Sequence, residues 1–574
     1  MDKSIFHSCR RWNAQSRRNL SSAGYTRYAF VERACMAICL AALLWPTQSA
    51  AQVLEEIIVT AQKREQAIND VGIAVIAFSG EQVDELGFES SLDVVRMSPG
   101  VHYTAGAAGR NLKFTIRGVT QFDFFEGVEG PIAVYIDDTY ITSAQAQVFG
   151  LFDVERVEVL KGPQGTLFGR NATGGLLHYM SRKPTLDRSD GYIDLTYGRF
   201  DQVRAEAAAN VVLSDTTALR GSVLYNRYDH TIDNAYPEGA ISLNPNPVAQ
   251  PDLGSDDTWA GRLHLLHAPS DDVELLLTGF HYRSEPGAAP YESDAIIAER
   301  DAQGRHINTY FASPNETREQ IGPGGVSVPI SFLDGEVPGF TEDGLRPVPG
   351  GDLFGYLDDD LGDFAGTHDY APEDTIRLQT SGVTGKLTWA LSDRIELTSI
   401  TDYKRYANRN SLNVGGIPAS HFLFLTDSKS ESFAQELRLN GDTEKASWTA
   451  GLYYLYIDND TDTGLAFPGD SILTFSPPPF GLDPNPFDAF PGPGTDFVNE
   501  TSLTTNSTSV FGQADYDLTG TITLIAGIRV VFEDKDYSLA QNAYEDTDPT
   551  RLNTENFGFA IPQPPRNLST TLRH

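Results

Sequence analysis

The chain has 574 residues and a formal net charge of −35, from 78 Asp plus Glu against 43 Lys plus Arg. Binding of nucleic acid requires clustered Lys and Arg, so this balance argues against a nucleic-acid partner. The 24 Tyr, 31 Phe and 51 Gly residues also distinguish the chain from a disordered one.

The first 51 residues predict a cleaved export signal. Seven Lys or Arg residues precede or flank an apolar run at 34–45, which is too short to cross a bilayer, and small residues follow at 49–51. We place the cleavage after Ala51; a buried soluble helix is the alternative. The removed segment contains every cysteine of the chain: Cys9, Cys35 and Cys39. The exported chain therefore has neither a disulfide nor a thiolate metal site.

Residues 52 to about 184 predict a compact α+β domain. Short apolar runs at 72–78, 113–116, 132–136 and 156–160 are typical of strands. A short helix is expected at 79–86, capped by Ser79, and another apolar segment spans 91–97.

From about residue 190 onward, apolar and polar residues alternate. Val203, Ala205 and Ala207 share one face of a predicted strand, and Arg204 and Glu206 share the other. Each run of this kind has roughly ten residues, which suits a tilted strand that crosses a bilayer. A soluble β-sandwich has the same period with shorter strands.

The connections between these strands favour the membrane interpretation. Three- to five-residue turns alternate with long segments at about 230–257, 284–374 and 458–505. Short turns on one side and long loops on the other are typical of an outer-membrane barrel. Structureless loops of this length are unusual in a soluble domain.

One segment carries a specific family resemblance. Residues 154–175 read VERVEVLKGPQGTLFGRNATGG, after IRG at 116–118 and VYIDD at 134–138. This run resembles the plug domain of TonB-dependent outer-membrane receptors. QELR at 435–438 and GIR at 527–529 are similar to barrel strands of the same family.

The resemblance implies an α+β plug domain followed by an antiparallel transmembrane β-barrel. It divides the chain into a signal peptide (1–51), a TonB box and tether (52–66), a plug (67–184) and a partial barrel with long extracellular loops (185–574). Family barrels have twenty-two strands, whereas the sequence predicts about eleven. We therefore expect a chain truncated at its C-terminus, because an open sheet leaves unpaired edges in lipid.

The resemblance also assigns candidate site residues. The TonB box comprises Glu55, Glu56, Ile57, Ile58, Val59 and Thr60, an extended segment suited to adding a strand to a partner's sheet. Arg117 and Arg170 would form ion pairs from the plug to inward-facing barrel carboxylates, with Glu436 as one candidate; solvated arginines are the alternative. An aromatic and acidic patch of Phe122, Asp123, Phe124 and Phe125 would face a ligand vestibule.

The sequence departs from the family pattern at His178 and Tyr179, where an Asn and an aliphatic residue are usual. We expect a hydrogen-bonded structural histidine at position 178 rather than an iron ligand.

His264 and His267 are three apart on a predicted strand, so their side chains lie on opposite faces of it. No motif indicates catalysis, a cofactor or a metal site.

The resemblance implies a receptor that takes up a scarce ligand, which in this family is usually a ferric siderophore. Its expected partners are TonB and the lipid of the outer membrane. Cobalamin, haem or a glycan are alternative ligands. A non-functional fragment of such a receptor and a secreted soluble β-rich binding protein are the other hypotheses.

Overall fold

The computed structural model describes the chain from residue 58 onward, with gaps. The described ranges are 58–104, 112–123, 127–234, 253–287, 296–300, 305–311, 319–321, 327–329, 365–366, 376–413, 423–467, 495–545, 557–560 and 572–573. They all belong to one compact unit, Ile57–His574. The predicted signal peptide, Glu55, Glu56, Ile57, Phe124 and Phe125 lie outside the described residues.

The N-terminal part is a small α+β domain. In chain order its elements are β1 (Ile58–Val59), β2 (Gln66–Ala67), a 3-10 turn (Ile68–Asp70), β3 (Ala74–Ser79), α1 (Gly80–Glu85), α2 (Ser91–Arg96), β4 (Val101–Thr104), β5 (Lys113–Ile116), β6 (Ile132–Ile136), β7 (Thr139–Tyr140), a 3-10 turn (Gln145–Gln147), β8 (Val154–Lys161), α3 (Gly165–Phe168) and β9 (Gly175–Ser181). Five strands form one sheet in the order β3-β8-β9-β6-β7, with β9 parallel to β6.

Local sequence explains the two longer helices of this domain. Ser79 caps α1 by accepting from the Gln82 backbone N–H, and the Gln82 side chain returns the bond to the Ser79 backbone. Ser90 and Asp93 form the same kind of capping box at α2. These boxes satisfy backbone donors that a helix start leaves unpaired. The predicted cap at Ser79 is confirmed.

The C-terminal part consists of strands. In chain order they are β10 (Asp190–Tyr197), β11 (Val203–Ser214), β12 (Thr217–Tyr228), β13 (Asp233–Asn234), β14 (Asp256–Ser270), β15 (Val273–Ser284), β16 (Ile296–Arg300), β17 (His306–Phe311), β18 (Glu319–Ile321), β19 (Ser327–Pro329), β20 (Ala365–Gly366), β21 (Arg377–Ser392), β22 (Ile395–Asn413), β23 (Leu423–Asp442), β24 (Ala446–Phe467), β25 (Thr495–Thr519), β26 (Ile522–Glu545), β27 (Phe557–Ala560) and β28 (Leu572–Arg573).

Eleven long strands form one antiparallel sheet, in the order β10-β11-β12-β14-β15-β21-β22-β23-β24-β25-β26, and short β27 and β28 both pair with β26. The predicted count of about eleven barrel strands is confirmed. Among the described strands β10 has a neighbour on one side only, so this sheet is not closed. The fold is the predicted plug followed by a partial antiparallel barrel.

The two faces of the sheet have opposite chemistry. On β10, Ile193 and Leu195 point outward and are 75% and 74% exposed, whereas on β11 the inward Asn210 is 1% exposed. His264 is fully buried and His267 is exposed, as predicted for residues three apart on a strand. The outward face is an apolar band of the kind that lipid covers.

Most of the long strands exceed the predicted ten residues. They reach 20 residues in β23 and 25 in β25. The alternation of apolar and polar residues starts only near Ser432 and Ser509, but β23 begins at Leu423 and β25 at Thr495. The additional lengths lie toward the long connections, where Lys429 and Glu431 are exposed on the outward face. Polar residues on both faces hide the alternation on which the prediction depended.

The eleven-stranded sheet curves around the plug, as contacts with the plug from strands between β11 and β26 show. We call this sheet the wall. A plug core packs Val94, Val157 and Leu177 together. A second cluster joins plug residues such as Leu160 and Phe168 to the wall residues Leu455, Ile457 and Phe511. No helix in the described part of the chain is long and apolar enough to cross a membrane.

Candidate functional site

The segment that leads into the plug is folded back on itself. Ile58 pairs with Ala67 and Val59 with Gln66 in a two-strand ladder. Val59 is fully buried in the cluster shared with the wall, while Ile58 is 42% exposed. The Thr60 backbone N–H donates to Glu158 Oε1 at 2.8 Å. The described half of the predicted TonB box is therefore docked on the plug.

Two basic residues just beyond the box attach this segment to the wall. The Lys63 Nζ lies 2.6 Å from Glu436 Oε2 on β23, and the Arg438 guanidinium lies 2.6 Å from the other oxygen of Glu436. Arg64 pairs with Asp515 on β25. Burial lowers the pKa of Lys63 even though Glu436 opposes that shift. We call the contacts of Lys63 and Arg64 with Glu436 and Asp515 the tether clamp.

The tether clamp lies on the side of the sheet where the turns are short. Asp515 is paired with Ser447, at the start of β24. The Asn440 side chain, two residues before the end of β23, donates to the Lys63 carbonyl at 3.4 Å. The connections at this end are 443–445 and 520–521. The tether is thus opposite the long connections.

Of the two arginines expected to pair with barrel carboxylates, Arg170 lies close to one, and its partner is not Glu436. Arg170 pairs with Glu533 on β26 at 3.1 Å and with Glu129 of the plug. Glu436 is bound by Lys63 and Arg438 instead of Arg117 or Arg170. Arg117 is exposed, and within the described residues it forms no ion pair. It has a positive φ of 52° in the turn after β5.

A second plug–wall contact is centred on the turn between β6 and β7. Asp138 Oδ2 lies 2.8 Å from Lys386 Nζ on β21. Burial alone would raise the pKa of Asp138, but the cations around it, Lys386 foremost, hold it well below its ordinary value. The neighbouring Asp137 binds Lys183 and accepts from Ser181, whose hydroxyl also lies 3.1 Å from His264 Nε2 on β14.

The predicted structural role fits the contacts of His178. Its Nε2 accepts from the Asp138 backbone N–H at 3.2 Å. The ring is 1% exposed, and burial lowers its pKa, so it is neutral at pH 7. The described residues contain no group of three or more His, Cys, Asp or Glu side chains arranged to hold a metal ion.

Sequence reasoning missed two further wall contacts. The fully buried carboxylate of Asp153 accepts from Arg220 Nε on β12 at 2.8 Å. Arg262 on β14 donates to the Phe152 carbonyl at 2.8 Å and lies 4.4 Å from the centre of its ring. These contacts could have been predicted from the alternation of apolar and polar residues, because an arginine on the polar face of a strand places a cation inside the barrel.

The wall also contacts the glycine-rich plug motif. Arg529 on β26 donates to the Leu167 carbonyl at 3.3 Å, near the end of α3. Gly169, which follows α3, has φ +79°, and a Cβ there would lie 2.7 Å from the Arg529 guanidinium. Glycine is needed at this position both for its backbone conformation and for the close approach of the wall.

An open cavity lies between the plug and the wall on the side of the long connections. Its volume is about 800 Å³, and it is lined by α2 and by the ends of β11, β12, β14, β15, β21 and β22. Phe122 is 69% exposed, and neither it nor Asp123 belongs to the described lining. This cavity and the tether clamp lie at opposite ends of the plug.

Comparison with known proteins agrees with this architecture. Residues 67–176 match the family model of the TonB-dependent Receptor Plug Domain. The chain is 27% identical to the Pesticin receptor of Yersinia pestis over 286 residues, which cover 48% of this chain and 39% of that protein. It is 24% identical to Vitamin B12 transporter BtuB of Vibrio vulnificus over 33% of this chain and 31% of that one.

Among solved structures, the chain is similar to the ferric yersiniabactin uptake receptor FyuA from Yersinia pestis. The TM-score is 0.55 at 17% identity, over 82% of this chain and 58% of that one. The likeness at this identity concerns the fold. In each of these comparisons the chain spans less than two thirds of the relative's length.

Proposed function

Because this chain is a TonB-dependent receptor, we propose that it imports a scarce ligand across the outer membrane with energy supplied through TonB. We propose a ferric siderophore as that ligand. A relative in sequence, the Ferripyoverdine receptor of Pseudomonas aeruginosa, is 25% identical over 32% of this chain and supports this choice. The apolar outward face of the sheet supports an outer-membrane location, reached through the predicted signal at 1–51.

One observation carries the proposal: the plug has a large cavity on one side and a clamped tether on the other. The cavity is at the long connections, which lie outside the cell in such barrels. The tether clamp is at the short turns, which face the periplasm. A ligand bound outside and a motor acting inside would thus act on the same small domain.

The ladder of β1 and β2 suits a pulling partner. Within the described residues β1 is paired on one side only, with β2. TonB would add a strand to the other edge, where backbone hydrogen bonds give a grip that depends little on side chains. A pull on this strand is transmitted first to Thr60, Lys63 and Arg64, which bind Glu158, Glu436 and Asp515.

Release of Lys63 from the tether clamp would not leave Glu436 without a cation. Arg438 also pairs with Glu436, at 2.6 Å, and would remain as its partner when Lys63 leaves. Breaking a buried pair without such a substitute costs about 3–5 kcal/mol. The second cation therefore lowers the work of releasing Lys63, although it does not act on the Arg64–Asp515 pair.

Uptake of ⁵⁵Fe-labelled ferrichrome tests the proposal. We would use iron-starved Gram-negative cells that lack their own siderophore receptors, produce the full chain, and either contain or lack TonB. We expect accumulation that requires TonB and is lost in Ile58→Pro, which cannot add a strand. Equal accumulation with and without TonB would contradict the proposal.

The match to a vitamin B12 transporter supports cobalamin as a second candidate ligand. The same cells therefore receive labelled cyanocobalamin in a parallel experiment. TonB-dependent uptake of cyanocobalamin without uptake of any ferric chelate would identify this alternative.

A further inference from the structure

The charges in the lining of the outer cavity cancel. Three arginines and three carboxylates contribute to the described lining, and neither Lys nor His does: Arg96, Arg199 and Arg204 against Glu89, Asp93 and Asp256. This balance contrasts with the chain as a whole, which carries a net charge of −35. Among the described residues the lining therefore has no excess charge with which to attract a strongly charged ligand.

Most of the arginine charge is already neutralised by the protein. Arg96 lies 3.0 Å from Asp93, and Arg204 lies 3.4 Å from Glu206 and donates to the Leu151 carbonyl. Arg199 is exposed, stacks on the Phe200 ring at 5.0 Å and has no acidic partner in the described residues. A highly anionic ligand would find one unpaired cation here.

The carboxylates of the lining are held by amides and hydroxyls. Asp256 accepts from Asn226 at 3.0 Å and from Thr258 at 3.1 Å. Gln202 donates to Asn226 at 3.2 Å and lies 3.5 Å from Glu89. Neither Glu89 nor Asp256 has a basic partner in the described part of the chain, so both repel an anion.

One buried amide in the lining lacks a partner. Asn410 on β22 is 5% exposed, and its Oδ1 accepts no hydrogen bond within the described residues. An unpaired buried acceptor costs about 1–3 kcal/mol. A ligand N–H or O–H donor at this position removes that cost.

From this lining we propose that the cavity selects an uncharged ligand rich in amide or hydroxyl donors, with Asn410 as one of its acceptors. The inference rests on the proposed function. For a ferric siderophore it means a tris-hydroxamate, in which three single negative charges cancel those of Fe³⁺. A tris-catecholate complex keeps three negative charges and would face Glu89 and Asp256.

Binding to outer membranes that contain the full chain tests this inference with three probes. Ferrichrome is an uncharged tris-hydroxamate, ferric enterobactin is a trianion, and cyanocobalamin is uncharged and amide-rich. We expect ferrichrome to bind at least tenfold more tightly than ferric enterobactin, with a dissociation constant that does not change with added salt.

Variants of Asn410 locate the site. Asn410→Leu should weaken binding of the uncharged probe about tenfold, the loss of one hydrogen bond. Asn410→Asp keeps an oxygen acceptor and should retain most of the affinity. The matched control is Asn506→Leu on the outward face of β25, where Asn506 accepts from Tyr454; it should bind as the unmodified chain does.

The outcomes separate this inference from the proposed function. Tighter binding of ferric enterobactin would overturn the inference and leave siderophore uptake standing. Binding of cyanocobalamin alone would support an uncharged ligand and overturn the siderophore. Absence of binding by all three probes would overturn both the inference and the proposed function. An Asn410→Leu variant that binds like the control would overturn the assignment of Asn410 as an acceptor.

Discussion

Replacement of Lys63 by Met should loosen the tether. The Lys63 and Glu436 side chains are 3% and 7% exposed, and their charged atoms are 2.6 Å apart. A hydrogen bond between charged groups contributes about 1.5–3 kcal/mol. Arg438 continues to pair with Glu436, and the variant no longer buries an amine. The lower end, about 1.5 kcal/mol, is therefore expected, which corresponds to about tenfold.

A cysteine at Val59 measures this opening. Val59 is fully buried on the docked tether, so a thiol there reacts with a maleimide only when the tether detaches. Cys9, Cys35 and Cys39 are replaced by Ser in this background. When reclosing is faster than labelling, the rate follows the open fraction. Lys63→Met should raise the labelling rate of Val59→Cys about tenfold.

Lys535→Met is the matched control. Lys535 lies 3.8 Å from Glu129 of the plug and 3.5 Å from Glu533 of the wall, and it forms no ion pair with the described part of the tether. Its replacement should leave labelling at position 59 unchanged. Equal rates in the unmodified chain and Lys63→Met would refute the assignment of the clamp, and a similar rise in Lys535→Met would show a general loosening of the plug.

Two further predictions concern the plug–wall contacts. The pKa of Asp138 is depressed in the folded state, so its stabilisation is present above its unfolded pKa and is lost as the pH falls toward the folded one. Lys386→Met removes the main cause of that depression, so the midpoint of thermal unfolding should begin to fall at a higher pH than in the unmodified chain; identical pH profiles would contradict this. Gly169→Ala places a Cβ against Arg529 at a positive φ and should destabilise the protein by about 1–3 kcal/mol in denaturant unfolding. Gly165→Ala, at the start of the short helix that Gly169 follows, has open space around it and should be neutral or stabilising. Equal losses in both variants would be inconsistent with the close approach of Arg529.

Local patterns in the sequence predicted the parts of the fold that depend on neighbours along the chain. The alternation at 203–211 identified β11 and its inward face, and Ser79 identified the start of α1. Strand length was underestimated where polar residues occupy both faces, as at the beginning of β23. There the backbone ladder, rather than burial of one face, sustains the strand.

Local sequence patterns could not predict the tether clamp, because its residues are far apart along the chain. Lys63 and Glu436 are 373 positions apart, and either would be an ordinary surface charge by itself. Only the wrapping of the sheet around the plug makes them a buried pair. The resemblance identified Glu436 as a plug contact, but its partner is a residue of the tether. The cavity likewise arises from α2 and six separate strands.

Cross-linking at Ile58 tests the central claim most directly. Ile58→Cys is placed on the exposed side of β1, in outer membranes that contain the full chain, together with the periplasmic domain of TonB carrying one cysteine. We predict a disulfide-linked product at Ile58 that increases when Lys63→Met releases the tether. A product that forms equally at a distant exposed plug position such as Glu85→Cys, and shows no response to Lys63→Met, would contradict the view that TonB grips this strand.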